Sequence, residues 1–387
     1  MALDNLQNFA PHCRAEQRTF NPPMKPPRQA ASPRPSTVRQ PSSLTPVADA
    51  LARLTAPLRP VTAESAPVEA AVGRVLAEPL QAPNAVPPHA VALRDGWAVT
   101  AADTVGASSY TPVMLLEEPR FVTIGAALPA GADAVLPPDA VSTEAGFAAI
   151  TAPAAPGESV RRAGEDVAAG AILRAAGERV RALDTIVARG AGVGLCSVRR
   201  VRVRIMGEGS ACTLLIRFAE AAGATVERGP PGEGGFAASG ADLVVMVGAS
   251  DPSAVLSQAG TDVAPALALR PGEGLGCALA GTVPVLVLPN RPETALAAAL
   301  IIMQPCLDRL LGAIAKPPVL MAPLTRKLAS NVGLTEIALV RETNSGLEPL
   351  AIGDITLTAM AQADAWLIVP PESEGFAAGE IVQAFIL

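Results

Sequence analysis

The sequence predicts a multidomain fold, α/β at its centre with smaller β-containing domains around it. Val201–Gly223, VRVRIMGEGSACTLLIRFAEAAG, alternates β-branched and basic residues, passes through a small-residue turn, and then keeps helical spacing up to a glycine. The same order of strand, loop and helix recurs twice downstream. Length is the third observation: 387 residues exceed what one core organises, and a 50% hydrophobic composition can fill several.

In the central region, Val201–Ile205 reads as a strand, MGEGS as a turn with Ser210 as N-cap, and Ala211–Ala222 as a helix. Asp242–Val247 (DLVVMV) is a near-continuous apolar run, as expected of a parallel strand covered on both faces. It leads through GASDPS into a helix over Pro252–Ala259, stopped by Gly260. Val283–Leu288 is a further buried strand, and PNRPE opens a long helix from Glu293 to Leu311 that ends at Gly312, with a kink expected at Pro305. In such a sheet the loops after the strands collect at one edge. MGEGS, GASDPS, RPGEG (Arg270–Gly274) and PNRP (Pro289–Pro292) are therefore expected to meet at one crevice suited to an anionic small molecule, although each alone reads as an ordinary turn.

Composition narrows the chemistry. A formal charge of −6 and the lack of a basic patch interleaved with aromatics argue against nucleic acid. No uninterrupted apolar span reaches membrane length, since Ala295–Met303 is bounded by Glu293 and Gln304-Pro305, so no membrane partner is expected. The cysteines, Cys13, Cys196, Cys212, Cys277 and Cys306, are scattered without zinc-site or disulfide spacing, which suits a reducing cytoplasm. In the first turn of its helix, Cys212 is open to a dipole-lowered pKa, with a small buried filler as the plain alternative. With only His12 and His89, imidazole metal binding and a Ser-His-Asp triad are poorly supported. Carboxylates and main-chain amides are left to carry the chemistry.

Residues 1–44, rich in proline, serine and arginine, read as a disordered arm, with a docking segment as the alternative. Thr45-Pro46 starts a helix as N-cap and first helical residue. Val61–Ala66 follows as a strand, and a short helix then runs from Pro67 towards Gly73. Arg94-Asp95-Gly96 is a sharp turn, and Phe121–Val141 reads as strand, Pro-Gly turn, strand. The closely spaced glycines of Gly157–Val180 suit a β-rich module, followed by a short helix over Leu183–Gly190. After the KPPV linker, strands are expected at Val319–Ala322, Thr335–Arg341, Trp366–Val369 and Ile381–Ile386, with a short helix between Ile355 and Ala363.

Collinear stretches of this chain resemble the molybdopterin molybdotransferases, the molybdenum insertase family that includes the C-terminal domain of gephyrin. They are VEAAVGRVLAEPLQAPNAVPP (Val68–Pro88), RDGWAVTAADT (Arg94–Thr104), GAALPAGADAV (Gly125–Val135), ESVRRAGEDVAAGAIL (Glu158–Leu173), the segment from Val201, LPNRP (Leu288–Pro292) and GEIVQAFIL. The resemblance implies a mixed α/β N-terminal domain in two segments, 45–82 and 155–198, and a β insertion domain over 83–154. It also implies a three-layer molybdopterin-binding α/β domain over 199–315 and a C-terminal β barrel over 316–387.

Family membership further implies a cytoplasmic homodimer that hydrolyses adenylated molybdopterin with Mg²⁺, places molybdate on its dithiolene and releases AMP. A molybdoenzyme or cofactor-pathway protein would then be a further partner. By this resemblance Asp95, Asp166 and Glu208 would be catalytic and Glu208 and Asp251 metal ligands. Gly207, Ser210, Gly248, Ser250, Gly272, Asn290 and Arg291 would line the pterin-phosphate crevice. Several positions depart from the family pattern. A lysine position is Glu273, a glycine position is Asn290, and the family's Thr-Gly-Asp-Glu-Leu loop is reduced to Met206-Gly207-Glu208-Gly209-Ser210. Arg291 could restore part of the lost positive charge. The alternative is a catalytically degenerate pterin-binding or scaffold protein that keeps the fold.

Overall fold

Alternation of apolar residues on both sides of a central strand builds the middle of the molecule. In the computed structural model, which describes residues 44–144, 147–229, 240–249, 252–314 and 317–387, Arg202–Met206 lies second in a six-stranded sheet. The order runs Thr225–Gly229, Arg202–Met206, Leu243–Val247, Val283–Leu288, Gly276–Ala280 and Thr261–Ala264. The first four strands are parallel, with Val203 opposite Leu243 and Val244 opposite Val285, whereas Gly276–Ala280 runs antiparallel to Val283–Leu288.

Val203, Ile205, Val245 and Leu286 face one side, where they pack with Leu215 and Ile216 of the Ser210–Ala221 helix. Val244, Met246 and Val285 face the other, against Leu256 of the Pro252–Ala259 helix. The result is three layers. Each fully buried aliphatic side chain contributes about 1.5–3 kcal/mol.

The long helix spans Pro292–Leu311 and ends at Gly312, whose φ of +61° closes it in the left-handed region. By length and composition it could cross a membrane, but 72% of the window that passes this test is buried inside the protein. Pro305 does not end it. A π-helical stretch, Ala298–Met303, precedes the proline, and the Gln304 amide reaches back five residues to the Ala299 carbonyl. The wider turn accommodates a residue with no amide to donate.

The start of the described chain departs from expectation at its caps. Val47–Thr55 is helical, but its N-cap is Pro46 with no side-chain cap bond, and Thr45 instead bridges to Leu267. Ser210 is likewise not an N-cap: Gly209 takes that position, and Ser210 is the first helical residue.

Ala63–Pro67 pairs with Leu195–Arg199, which also holds Val75–Leu76, so the first segment and a later one share a sheet. Between them, Val91–Ala92 pairs with Val160–Arg161 and Val86 bridges to Val167, forming a two-stranded ribbon. From this ribbon emerge two three-stranded sheets, one centred on Gly96–Val99 and one on Phe147–Ile150. The terminal region is a sheet in which Thr335–Thr343 lies between Leu269–Arg270 and Ala365–Val369 and also pairs with Gly346–Ile352. Ile381–Ile386 and Val319–Pro323 continue it, and a single bridge joins Leu324 to Leu347.

Candidate functional site

The loops beyond the parallel strands meet at one rim. Gly207 follows Met206 with φ +121°, and a Cβ added there would lie 2.4 Å from the Val247 carbonyl oxygen, so only glycine lets these two strand ends approach. Gly209, at φ +97°, is pressed against Asn290: a Cβ there would lie 2.2 Å from its side-chain nitrogen. Asn290 Oδ1 in turn accepts the Ala211 amide at 3.4 Å, within the first turn of the Ser210–Ala221 helix. The Gly248 amide donates to the Leu288 carbonyl at 2.8 Å, which ties a third loop to the same place.

The fourth loop, Pro271–Gly274, arrives by a different route. It precedes Gly276–Ala280, and because that strand is antiparallel its start lies at the same edge, with Gly276 opposite Val287. A Cβ on Gly274 would sit 3.3 Å from the Pro289 ring. Of the expected rim residues, Gly207, Ser210, Gly248, Asn290 and Arg291 are therefore drawn together, and Gly272 lies in the loop whose Gly274 reaches Pro289. Ser250 and Asp251 lie outside the described residues.

Charge at the rim is largely satisfied internally. Arg291 Nε lies 2.6 Å from Glu293 Oε1, so its cation is already paired. Glu273 turns back to accept the Gly272 amide at 3.0 Å and lies 3.8 Å from Arg270. On its other side Arg270 lies 3.8 Å from Glu336, which is 2% exposed and accepts from Ser330 Oγ at 2.6 Å and from the Asn331 amide at 3.0 Å. A carboxylate buried to this degree needs such partners. Glu208 is exposed. Among the described residues, no group of three His, Cys, Asp or Glu side chains is placed to hold a metal ion. A single Glu208 carboxylate does not compose a Mg²⁺ shell, which needs near-octahedral oxygen donors.

The remaining expected carboxylates stand elsewhere. Asp95 Oδ1 accepts the Ile124 amide at 2.7 Å in the inserted region, and Asp166 pairs with Arg161 at 3.2 Å. They sit towards opposite ends of the ribbon: the Asp166 amide bonds to the Val86 carbonyl, while Asp95 lies beyond the bond from Leu93 to Ser159. Among the described residues, no hydrogen bond or ion pair joins either to the rim.

Cys212 is buried, its thiol facing the Gly207 carbonyl at 3.4 Å, and burial raises its pKa despite Arg228 nearby. The filler role is the one realised. The contacts of Asn290 with the helix start and of Glu336 with Arg270 have no local signature, since each joins residues more than sixty positions apart.

Known proteins share the fold that carries this rim. Residues 45–192 match the MoeA N-terminal region (domain I and II), and residues 321–387 match the MoeA C-terminal region (domain IV). A protein of Methanocaldococcus jannaschii, provisionally named for molybdopterin biosynthesis, is 25% identical over 368 residues, 82% of this chain and 90% of its own. Molybdopterin molybdenumtransferase 2 of Mycobacterium tuberculosis is 34% identical over 173 residues, where the match spans 39% of this chain and 41% of that protein. The solved structure of a molybdopterin biosynthesis MoeA protein from Pyrococcus horikoshii superposes with a TM-score of 0.72 at 26% identity, covering 89% of this chain and 99% of that one. With both terminal regions matched and the architecture shared over most of the chain, the chain belongs to the MoeA family, as a divergent member.

Proposed function

We propose that this protein acts in molybdenum cofactor biosynthesis as a molybdopterin molybdotransferase, with adenylated molybdopterin and molybdate as substrates and AMP as a product. The observation that carries the reading is the convergence of Gly207, Gly248, Gly274 and Asn290 on one rim at the end of a parallel sheet. Small-residue turns at such an edge let main-chain amides approach a phosphorylated, multiply anionic pterin. Glu208 and Ser210, exposed on the same rim, are the side chains nearest to hand for orienting water or substrate.

Asp95 and Asp166 are separated from this rim within one chain, so their catalytic role rests on a homodimer in which a second copy brings its inserted region and the adjoining ribbon to the rim. The Ala182–Gly190 helix supports such a dimer: Leu183 and Ile186 are 67% and 68% exposed, and with Val187 they form one apolar stripe. Mg²⁺, which the family reading implies, finds no complete donor set among the described residues of one chain. The four cysteines among the described residues, scattered, buried and unpaired, support a cytoplasmic setting, and we read the terminal sheet, drawn together by the Leu324–Leu347 bridge, as a small barrel.

A second reading is favoured by Glu273 and Asn290. One returns an anion to the rim and the other fills the start of the Ser210–Ala221 helix, as expected of a pterin-binding scaffold that has lost the chemistry. Incubating the purified protein with adenylated molybdopterin, molybdate and Mg²⁺ separates the two. Release of AMP supports the transferase, whereas tight pterin binding without AMP release supports the scaffold.

A further inference from the structure

The Pro271–Gly274 loop is strung between two sheets. Its leading strand, Leu269–Arg270, belongs to the terminal sheet, where Leu269 lies opposite Thr335 and Arg270 opposite Glu336. Its trailing strand, Gly276–Ala280, belongs to the central one. Between them the chain turns tightly: the Leu275 amide donates to the Gly272 carbonyl at 2.9 Å, and a Cβ on Gly272 would lie 2.4 Å from the Leu269 carbonyl oxygen. A turn this short has no slack, so the place of Arg270 fixes where Gly274 meets Pro289.

Arg270 is held from the terminal side by one carboxylate. Glu336 is buried, and both bonds it accepts, from Ser330 Oγ and the Asn331 amide, fall on Oε2. Oε1 is left to face Arg270, 3.8 Å from its guanidinium. Gly353 keeps that line open: its φ is +64°, and an added Cβ would lie 2.5 Å from Glu336 Oε1 and 3.1 Å from Arg270 Cδ. On its other side Arg270 meets Glu273 of the loop itself, again at 3.8 Å. Replacing a buried ion pair by apolar residues is often neutral or stabilising, so stability alone does not account for a carboxylate at this place.

We infer that Glu336 is a positioning residue of the rim: from the terminal sheet it fixes Arg270, and through Arg270 the Pro271–Gly274 loop against which the anionic pterin substrate is held. The part played by the substrate rests on the function proposed above, whereas the hold on the loop does not.

Glu336→Gln removes the charge and keeps the shape. In the substrate-free protein, amide exchange over Gly272–Leu275, read by mass spectrometry, should quicken about tenfold, with the melting temperature within about 2 °C of wild type. Arg270→Gln should quicken the same exchange, and adding Glu336→Gln to it should change nothing further, because one residue acts through the other. Where the wild type releases AMP from adenylated molybdopterin, Glu336→Gln should raise KM about tenfold and leave kcat within about twofold; where it binds without turnover, Kd should rise alike. Ser330→Ala, which takes away one of the two bonds that turn Oε1 towards Arg270, serves if Glu336→Gln does not fold, and should quicken loop exchange in the same direction. A wild type that neither binds the adenylated pterin nor releases AMP would defeat the proposed function, and loop exchange would still decide the role of Glu336. The inference is overturned if loop exchange is unchanged in Glu336→Gln, or if it quickens equally across the terminal sheet, as loss of a merely structural pair would give. It is also overturned if the effects of Glu336→Gln and Arg270→Gln add, or if a protein that binds the substrate binds it as tightly in Glu336→Gln.

Discussion

Replacing Gly207 by alanine tests whether the rim is held by a close approach that only glycine permits. Gly207 sits at φ +121°, and an added Cβ would lie 2.4 Å from the carbonyl oxygen of Val247 and 3.0 Å from its Cβ. The backbone conformation alone costs a residue with a side chain about 1–3 kcal/mol. The contact cannot be relieved by turning a side chain, because its nearest atom is main chain in a strand locked in register, Met206 opposite Met246. Opening the sheet by about 1 Å disturbs a close-packed core and adds about 1–3 kcal/mol. Gly281 is the control: its φ of +67° is also positive, but an added Cβ meets nothing within 4 Å, so only the conformational cost of about 1–2 kcal/mol applies. In urea melts followed by far-UV circular dichroism, Gly207→Ala is expected to lose about 2 kcal/mol more than Gly281→Ala. AMP release, where present, should fall with it. Equal losses in the two variants, within about 0.5 kcal/mol, would falsify the close-approach argument.

Two further outcomes follow from the burial and charge of named residues. Ile186→Asp, placing a charge in the exposed stripe of the Ala182–Gly190 helix, should convert a dimer to a monomer in light scattering and reduce AMP release with it; a wild-type monomer would sink the dimer reading. Burial raises the pKa of Asp308 above its ordinary value of 3.8, so the fold favours the protonated carboxyl. Its contribution to stability is complete below 3.8 and is lost as pH rises through the folded value. Asp308→Asn is therefore expected to melt above wild type at about pH 7 and to match it near about pH 3, as differential scanning fluorimetry can read, and a constant offset across that range would contradict the linkage.

Much of the architecture was legible from local pattern. The apolar runs Leu243–Val247 and Val283–Leu288, the helix stop at Gly312 and the turn at Arg94-Asp95-Gly96 all announce themselves within a few residues. Caps are less legible. Ser210 and Thr45 both have the chemistry of N-caps, yet Gly209 and Pro46 take those places, because the chain is pulled into position by Asn290 in one case and by the bridge to Leu267 in the other. The strand Gly276–Ala280 was not anticipated, although it alone carries the Pro271–Gly274 loop to the rim.

By itself, the sequence determined the alternation of strand and helix, the small residues at the ends of the strands and the family to which the chain belongs. These depend on side-chain periodicity and on glycine's backbone freedom, which act over a few residues. Tertiary structure alone decided that Glu273 folds back on its own loop, that Arg291 is already paired with Glu293, and that a buried Glu336 stands behind Arg270. It also set Asp308 at the edge of an apolar cavity, where it accepts from Gln304 and feels the charge of Arg179. Whether a charge is free or spent depends on what distant segments bring within a few ångströms of it, and no local pattern carries that information.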